Sequence, residues 1–90
     1  MVQVIWTQGA AADLRAIRTY IAQFSPLAAQ RFAARLRRAA MALETMPDRG
    51  RPISRGRREL TIVPPYLIRY ARQGDRVAIL EIRHAAREDE

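Results

Sequence analysis

The chain opens on VQVIW (2–6), a run of β-formers that predicts a short strand. Thr7 follows as an N-cap for a helix. Beyond it Leu14, Ile17, Ile21 and Phe24 recur at spacings of three and four, one face of an α-helix. Asp13 falls near its positive N-terminal end, and Arg15 and Arg18 lie off the stripe. Ser25-Pro26 restarts the chain, with serine at the N-cap and proline at the first helical position. A second stripe, Phe32, Leu36, Ala39/Ala40, Leu43 and Met46, runs to Pro47, which stops the helix. The alanines along it favour helix and allow close packing. Arg31, Arg35 and Arg38 form a separate stripe, the pattern of a solvated face. With almost nothing between them, the two helices are expected to pack as an antiparallel hairpin.

The period then changes from helical to alternating. RELTIV (58–63), YLIRYAR (66–72) and VAILEIRH (77–84) read as strands, with Pro64-Pro65 forcing a turn after the first. QGD(R) between the last two suits a three-residue hairpin loop with Gly74 left-handed. That loop pairs residues whose numbers sum to 148. Tyr66, Ile68 and Tyr70 then share an apolar face with Ala78, Leu80 and Ile82. Leu67, Arg69, Val77, Ile79, Glu81 and Arg83 fall on the other face, with Arg69 diagonal to Glu81. A slip of one residue would set Ile68 against Glu81, a worse pairing. The order is β-α-α-β-β-β, an α+β fold with a helical hairpin packed on one face of a small, mostly antiparallel sheet. There is no internal repeat or linker, so residues 1–90 are expected to form one domain, with AAREDE (85–90) a flexible tail.

Composition narrows the chemistry. Ninety residues support one small hydrophobic core. Without cysteine there is no disulfide and no thiolate nucleophile, which fits a reducing compartment such as the cytoplasm. No apolar run approaches the roughly 20 residues of a membrane span. MVQVIWTQ lacks the pattern of a signal peptide. One histidine and no cysteine cannot build a zinc site, and RGRPISRGR lacks the strand–loop–helix context of a phosphate loop. No cofactor or metal is expected. All sixteen basic residues are arginine, against six acids up to residue 87 and three in the last three positions. Five of the arginines lie in RGRPISRGRRE (49–59), where two glycines and a proline predict a loop spanning 47–58. So much fixed charge attracts polyanions or an acidic protein in a salt-dependent way.

Six motifs resemble a known family when taken in order: W-T-x₅-D-L-x-x-I-x-x-Y-I from Trp6, S-P-x-A-A-x-R-F from Ser25, P-x-x-G-R-P from Pro47, R-E-L from Arg58, P-Y-L-I-R-Y from Pro65 and I-L-E-I-R-H-A-A-R from Ile79. Together they resemble the RelE/ParE superfamily of toxins from type II toxin–antitoxin modules, and the P-x-x-G-R and H-A-A-R signatures are the more ParE-like. The resemblance implies a helical hairpin on a small antiparallel sheet, as the patterning does. It leaves two activities open. RelE-like members are ribosome-dependent mRNA endonucleases; ParE-like members are not nucleases, and known ones act on DNA gyrase. Both are held inactive by a small antitoxin encoded beside them.

Metal-free RNA cleavage needs a base for the 2′-OH, cations for the phosphorane and an acid for the leaving oxygen. By resemblance Arg51, Arg69 and Arg83 are the cation candidates. His84, the only histidine, is the acid–base candidate nearest neutrality. Glu59 and Glu81 are the other bases, while Tyr66 and Tyr70 fall on the core face. RelE-like nucleases usually carry a tyrosine or histidine, often with lysines, at the end of the last strand and tail; AAREDE has none of these and is acidic. His84 at a strand end also reads as a structural residue, Arg69 with Glu81 as a surface cross-strand pair, and Trp6 as a core or edge anchor. The favoured expectation is a non-catalytic gyrase inhibitor of the ParE type. The alternatives are an endonuclease using Arg51, Arg69, Arg83 and His84, and a degenerate member that only binds antitoxin. The implied partners are a cognate antitoxin with an acidic or partly disordered segment and DNA gyrase, with no membrane and no small-molecule substrate. Arg49, Arg51, Arg55, Arg57, Arg58, Arg69 and Arg83 are the expected contacts.

Overall fold

The computed structural model describes residues 1–87. Its elements are β1 (Gln3–Trp6), α1 (Gln8–Ala22), α2 (Pro26–Met41), β2 (Arg51–Pro52), β3 (Arg57–Val63), β4 (Tyr66–Gln73) and β5 (Arg76–His84). The five strands form one sheet in the order β1-β5-β4-β3-β2. β1 runs parallel to β5, and every other pair is antiparallel. The α+β order expected from patterning is present, with the two-residue β2 added inside the arginine loop.

Both helix starts are set by the capping residues legible in the sequence. Thr7 Oγ1 accepts from the Ala10 amide at 3.2 Å and donates to the Ile79 carbonyl at 2.7 Å, fixing the start of α1 to the last strand. Ser25 Oγ accepts from the Ala28 amide at 3.1 Å, with Pro26 at the first helical position. The hairpin lays α1 over β5 and α2 over β3. Ala10 and Leu14 of α1, and Ala33, Leu36 and Ala40 of α2, bury against Leu60, Ile68, Tyr70, Val77 and Ile79. The alanines bring the helix backbones close to the sheet, which concentrates the buried apolar surface of a short chain. Tyr66 and Tyr70 belong to this core, as expected.

Two stripe ends depart from expectation. Phe24 is 73% exposed, because α1 ends at Ala22 and the helical phase no longer carries the ring inward; it meets Tyr20 edge-on instead. Met46 is exposed because α2 ends at Met41 and a 3₁₀ turn over Ala42–Glu44 shifts the phase of the chain beyond it.

The β4–β5 register also differs. The loop is two residues long, Gly74-Asp75, since Gln73 pairs with Arg76. Gly74 has φ 63°, at the first central position where a II′ turn favours glycine. Near the turn, paired numbers sum to 149, as in Tyr70↔Ile79. Beyond a bulge at Leu80 they sum to 150, as in Arg69↔Glu81 and Ile68↔Ile82. Val77, Ile79 and Ile82 therefore face the core, rather than Ala78, Leu80 and Ile82. The bulge reconciles two demands. It admits the tight turn, and it keeps Ile68 from facing Glu81. Arg69 and Glu81 become directly opposite rather than diagonal.

Ala85–Arg87 form a 3₁₀ turn, whose Ala85 amide donates to the Pro65 carbonyl at 2.8 Å. Of the tail expected to be flexible, residues 88–90 lie outside the described residues.

Candidate functional site

Alternation along β3, β4 and β5 places a second set of side chains on the sheet face away from the helices. There Glu59, Arg69, Glu81 and Arg83 form a charged ladder across the strands. Arg51 Nη2 donates to Glu59 Oε1 at 2.6 Å. Arg69 Nε donates to Glu59 Oε2 at 3.0 Å, and its Nη1 to Glu81 Oε2 at 3.2 Å. Arg83 Nη1 donates to Glu81 Oε1 at 3.4 Å, and Arg57 Nη1 lies 4.0 Å from Glu81 Oε2. The registers Arg51↔Glu59, Glu59↔Arg69 and Arg69↔Glu81 produce this order directly. Four arginines share two carboxylates, so the ladder keeps a net charge of +2 within itself.

Burial makes its centre different from a surface ion pair. The Glu59 side chain is 1% exposed and that of Arg69 12%, while Arg51 remains 69% exposed. Burial alone would raise the Glu59 carboxyl, but hydrogen bonds and charge from Arg51 and Arg69 outweigh it and hold it below the usual carboxylate range. Burial pulls Arg69 down in the same way, and its bonds to Glu59 and Glu81 push it above its ordinary value. Glu59 is thus a fixed acceptor. A general base tuned for work near neutrality needs the opposite shift.

His84 follows Arg83 on β5, and its ring is engaged on the core side. It packs edge-on against Tyr66, with ring centroids 5.5 Å apart, and Tyr66 in turn meets Phe32 at 5.8 Å. Its Nδ1 accepts from the Ala86 amide at 3.1 Å. His84 and Arg83 both border a groove that also includes Asp13, Ile17, Tyr20 and Ile82. The groove ends where β5 outruns β1, and the Asp13 carboxylate accepts from the Ile82 amide at 2.9 Å there. Of the four residues named for nuclease chemistry, the structure brings Arg51, Arg69 and Arg83 onto one ladder and turns the His84 ring away from it.

The loop arginines divide. Arg57 donates to the Ser54 carbonyl and hydroxyl, both at 3.1 Å. Arg58 donates to the carbonyls of Asp48 at 3.1 Å and Gly50 at 2.7 Å, and pairs with the Asp48 carboxylate at 3.6 Å. These two, with Arg51, tie the loop to itself and to β3. Arg55 is exposed, with φ 64°. Arg49 is exposed and lies across from Arg35 and Arg38 of α2. The sequence marks Glu59 only as a candidate base. Its role as shared counterion is hidden in the pairing of a two-residue strand that no periodicity signals. Among the described residues no helix is long and apolar enough to cross a membrane.

Comparison with known proteins agrees with this architecture. The family described as "ParE toxin of type II toxin-antitoxin system, parDE" matches residues 4–89. A protein of Caulobacter vibrioides named Toxin RelE2 is 59% identical over 87 residues, covering 97% of this chain and 99% of its own. A solved structure described as the chromosomal ParDE TA system from P. aeruginosa superposes with a TM-score of 0.82 at 29% identity, covering 93% of this chain and 96% of that one. A helical hairpin backed by this five-stranded sheet is the architecture of a type II toxin of the RelE/ParE superfamily. The chain belongs to its ParE toxin family.

Proposed function

We propose that the chain is a toxin that acts by binding DNA gyrase rather than by cleaving RNA, and that a cognate antitoxin neutralises it. The observation that carries this is the engagement of the ladder. Glu59 and Glu81 already occupy the arginines that an RNA phosphate would need, and Glu59 is held ionised and buried between two of them. The single histidine packs on Tyr66 instead of joining them. The ParE match and the ParDE structure support a partner antitoxin and the ParE branch.

A second reading has its own support. The Caulobacter relative carries a RelE name, so a ribosome-dependent endonuclease is the competing activity. The test uses purified chain with gyrase, relaxed plasmid and ATP, scoring supercoiling and trapped linear DNA, with His84→Ala alongside. Inhibition by both proteins is expected. No effect on gyrase, together with mRNA cleavage on programmed ribosomes that His84→Ala or Arg83→Ala abolishes, would replace this reading with the endonuclease.

A further inference from the structure

The arginines without a carboxylate define a different surface from the ladder. Arg35 and Arg38, one turn apart on α2, converge with Arg49 of the loop around a shallow groove of about 270 Å³. Its floor is Ala39, Ala42, Ile62 and Val63. No acidic residue lines it, and among the described residues none of the three arginines has an ion pair, whereas Arg51, Arg57, Arg58, Arg69, Arg72 and Arg83 all do. Arg35 is held in place by its guanidinium over the Phe32 ring, 5.7 Å from the centroid. Ile62 leaves 42% of its surface to water on the same floor.

We infer that this groove is the docking site for a short acidic segment of the antitoxin, carrying carboxylates that flank an aliphatic side chain; the inference rests on the toxin–antitoxin reading above. Charge complementarity selects the carboxylates. Three uncompensated guanidiniums around one depression attract an anionic chain and discriminate against a basic one. The apolar floor selects a peptide over a nucleic acid. A phosphodiester backbone would satisfy the arginines and leave Ile62 wet, whereas an aliphatic side chain between two acids covers both. The size agrees, since the groove falls below the roughly 300–1,000 Å³ of small-molecule pockets and suits a few side chains of an extended or helical segment. Exposed floor and rim also mean that the site exists before the partner arrives, so an initially disordered segment can fold onto it.

The test compares two double variants with equal charge loss on the same helix. Arg35→Gln with Arg38→Gln empties the groove rim. Arg31→Gln with Arg37→Gln removes two exposed charges elsewhere on α2. Binding of each full-length chain to the antitoxin encoded beside it is measured at physiological salt, with thermal melting to establish that each folds. The groove pair is expected to weaken the complex at least about tenfold, and the control pair to change it by less than about threefold. Ile62→Asn, which alters the floor without touching charge, should also weaken the antitoxin complex and leave binding of a 20-base-pair DNA duplex unchanged. Equal losses in both double variants would reduce the effect to net charge and overturn the inference. An intact antitoxin complex with the groove pair would overturn it too, and lost duplex binding in that variant would assign the groove to nucleic acid. If the unaltered chain fails to bind the antitoxin at all, the toxin–antitoxin reading falls first, a result distinct from the others.

Discussion

The phenol of Tyr70 is hydrogen-bonded to Gly50: its oxygen accepts the Gly50 amide at 2.8 Å and donates to the Pro47 carbonyl at the same distance. One buried side chain from the middle of the sheet thereby closes the entry to the arginine loop. The approach leaves no room for a side chain at position 50. A Cβ there would lie 2.9 Å from Tyr70 Cε1 and from its hydroxyl oxygen, and 3.0 Å from the Glu59 carbonyl oxygen.

Tyr70→Phe leaves the Gly50 amide and the Pro47 carbonyl without this partner and should cost about 1–3 kcal/mol. Gly50→Ala should destabilise by a comparable amount, since one of the atoms in the way is backbone. Urea unfolding of both variants measures this, and a loss below 0.5 kcal/mol (about the size of an ordinary surface substitution) in either would show that the contact does not hold the loop. Burial also pushes the Tyr70 phenol up. Absorbance titration should therefore show one tyrosine ionising above the ordinary value of about 10.

The buried carboxylate of Glu59 gives a pH dependence of known sign. Its folded value lies below its unfolded one, so its contribution is complete above the unfolded value of about 4.3 and disappears as pH falls through the folded value. Melting temperature should drop on acidification through this range. Glu59→Gln should melt lower at pH 7 and show a flatter acid limb. Removing one partner of a buried pair typically costs about 3–5 kcal/mol, and the water around Arg51 places this site at the lower end. An acid limb equally steep in the variant would assign the effect to other carboxylates.

Where β5 extends past β1, Asp13 replaces the missing strand by accepting the Ile82 amide. Asp13→Ala should leave that donor unpaired and cost about 1–3 kcal/mol. Amide exchange at Ile82 should accelerate more than at the neighbouring paired positions. Unchanged exchange there would mean that the carboxylate does not protect the edge.

Deleting Leu80 removes the bulge and leaves one uninterrupted register from the turn. Ile68 then faces Glu81, and a charge enters the apolar face. The deletion should yield no cooperatively folded protein by calorimetry, whereas Leu80→Ala, which keeps the extra residue, should fold.

Much of the fold was legible because local signals agreed with one another. The Thr7 and Ser25 caps, the alanine-rich helical stripe and the three β runs each point to a single element. The Leu80 bulge was not legible, because pairing numbers alone cannot show that a strand changes register halfway. Phe24 and Met46 failed because a stripe extrapolated past its helix end loses its phase. At the site, Arg69 with Glu81 was visible as a pair, while Glu59 as shared counterion required the register of β2, a strand of two residues with no period. The convergence of Arg49 on Arg35 and Arg38 depends on how the loop folds back on α2, which spacing does not encode.

The parallel pairing of β1 with β5 has a consequence for synthesis. The first strand to leave the ribosome has its only sheet neighbour near the far end of the sequence, with Gln3 opposite Arg76 and Trp6 opposite Ile79. Contacts of such long sequence separation form late, because the loop between them must close first. The hairpin helices can form while translation continues, but their apolar faces have no finished sheet to cover. A nascent chain halted before β5 therefore holds no intact toxin, and lethality begins only when the last strand arrives to seat the first.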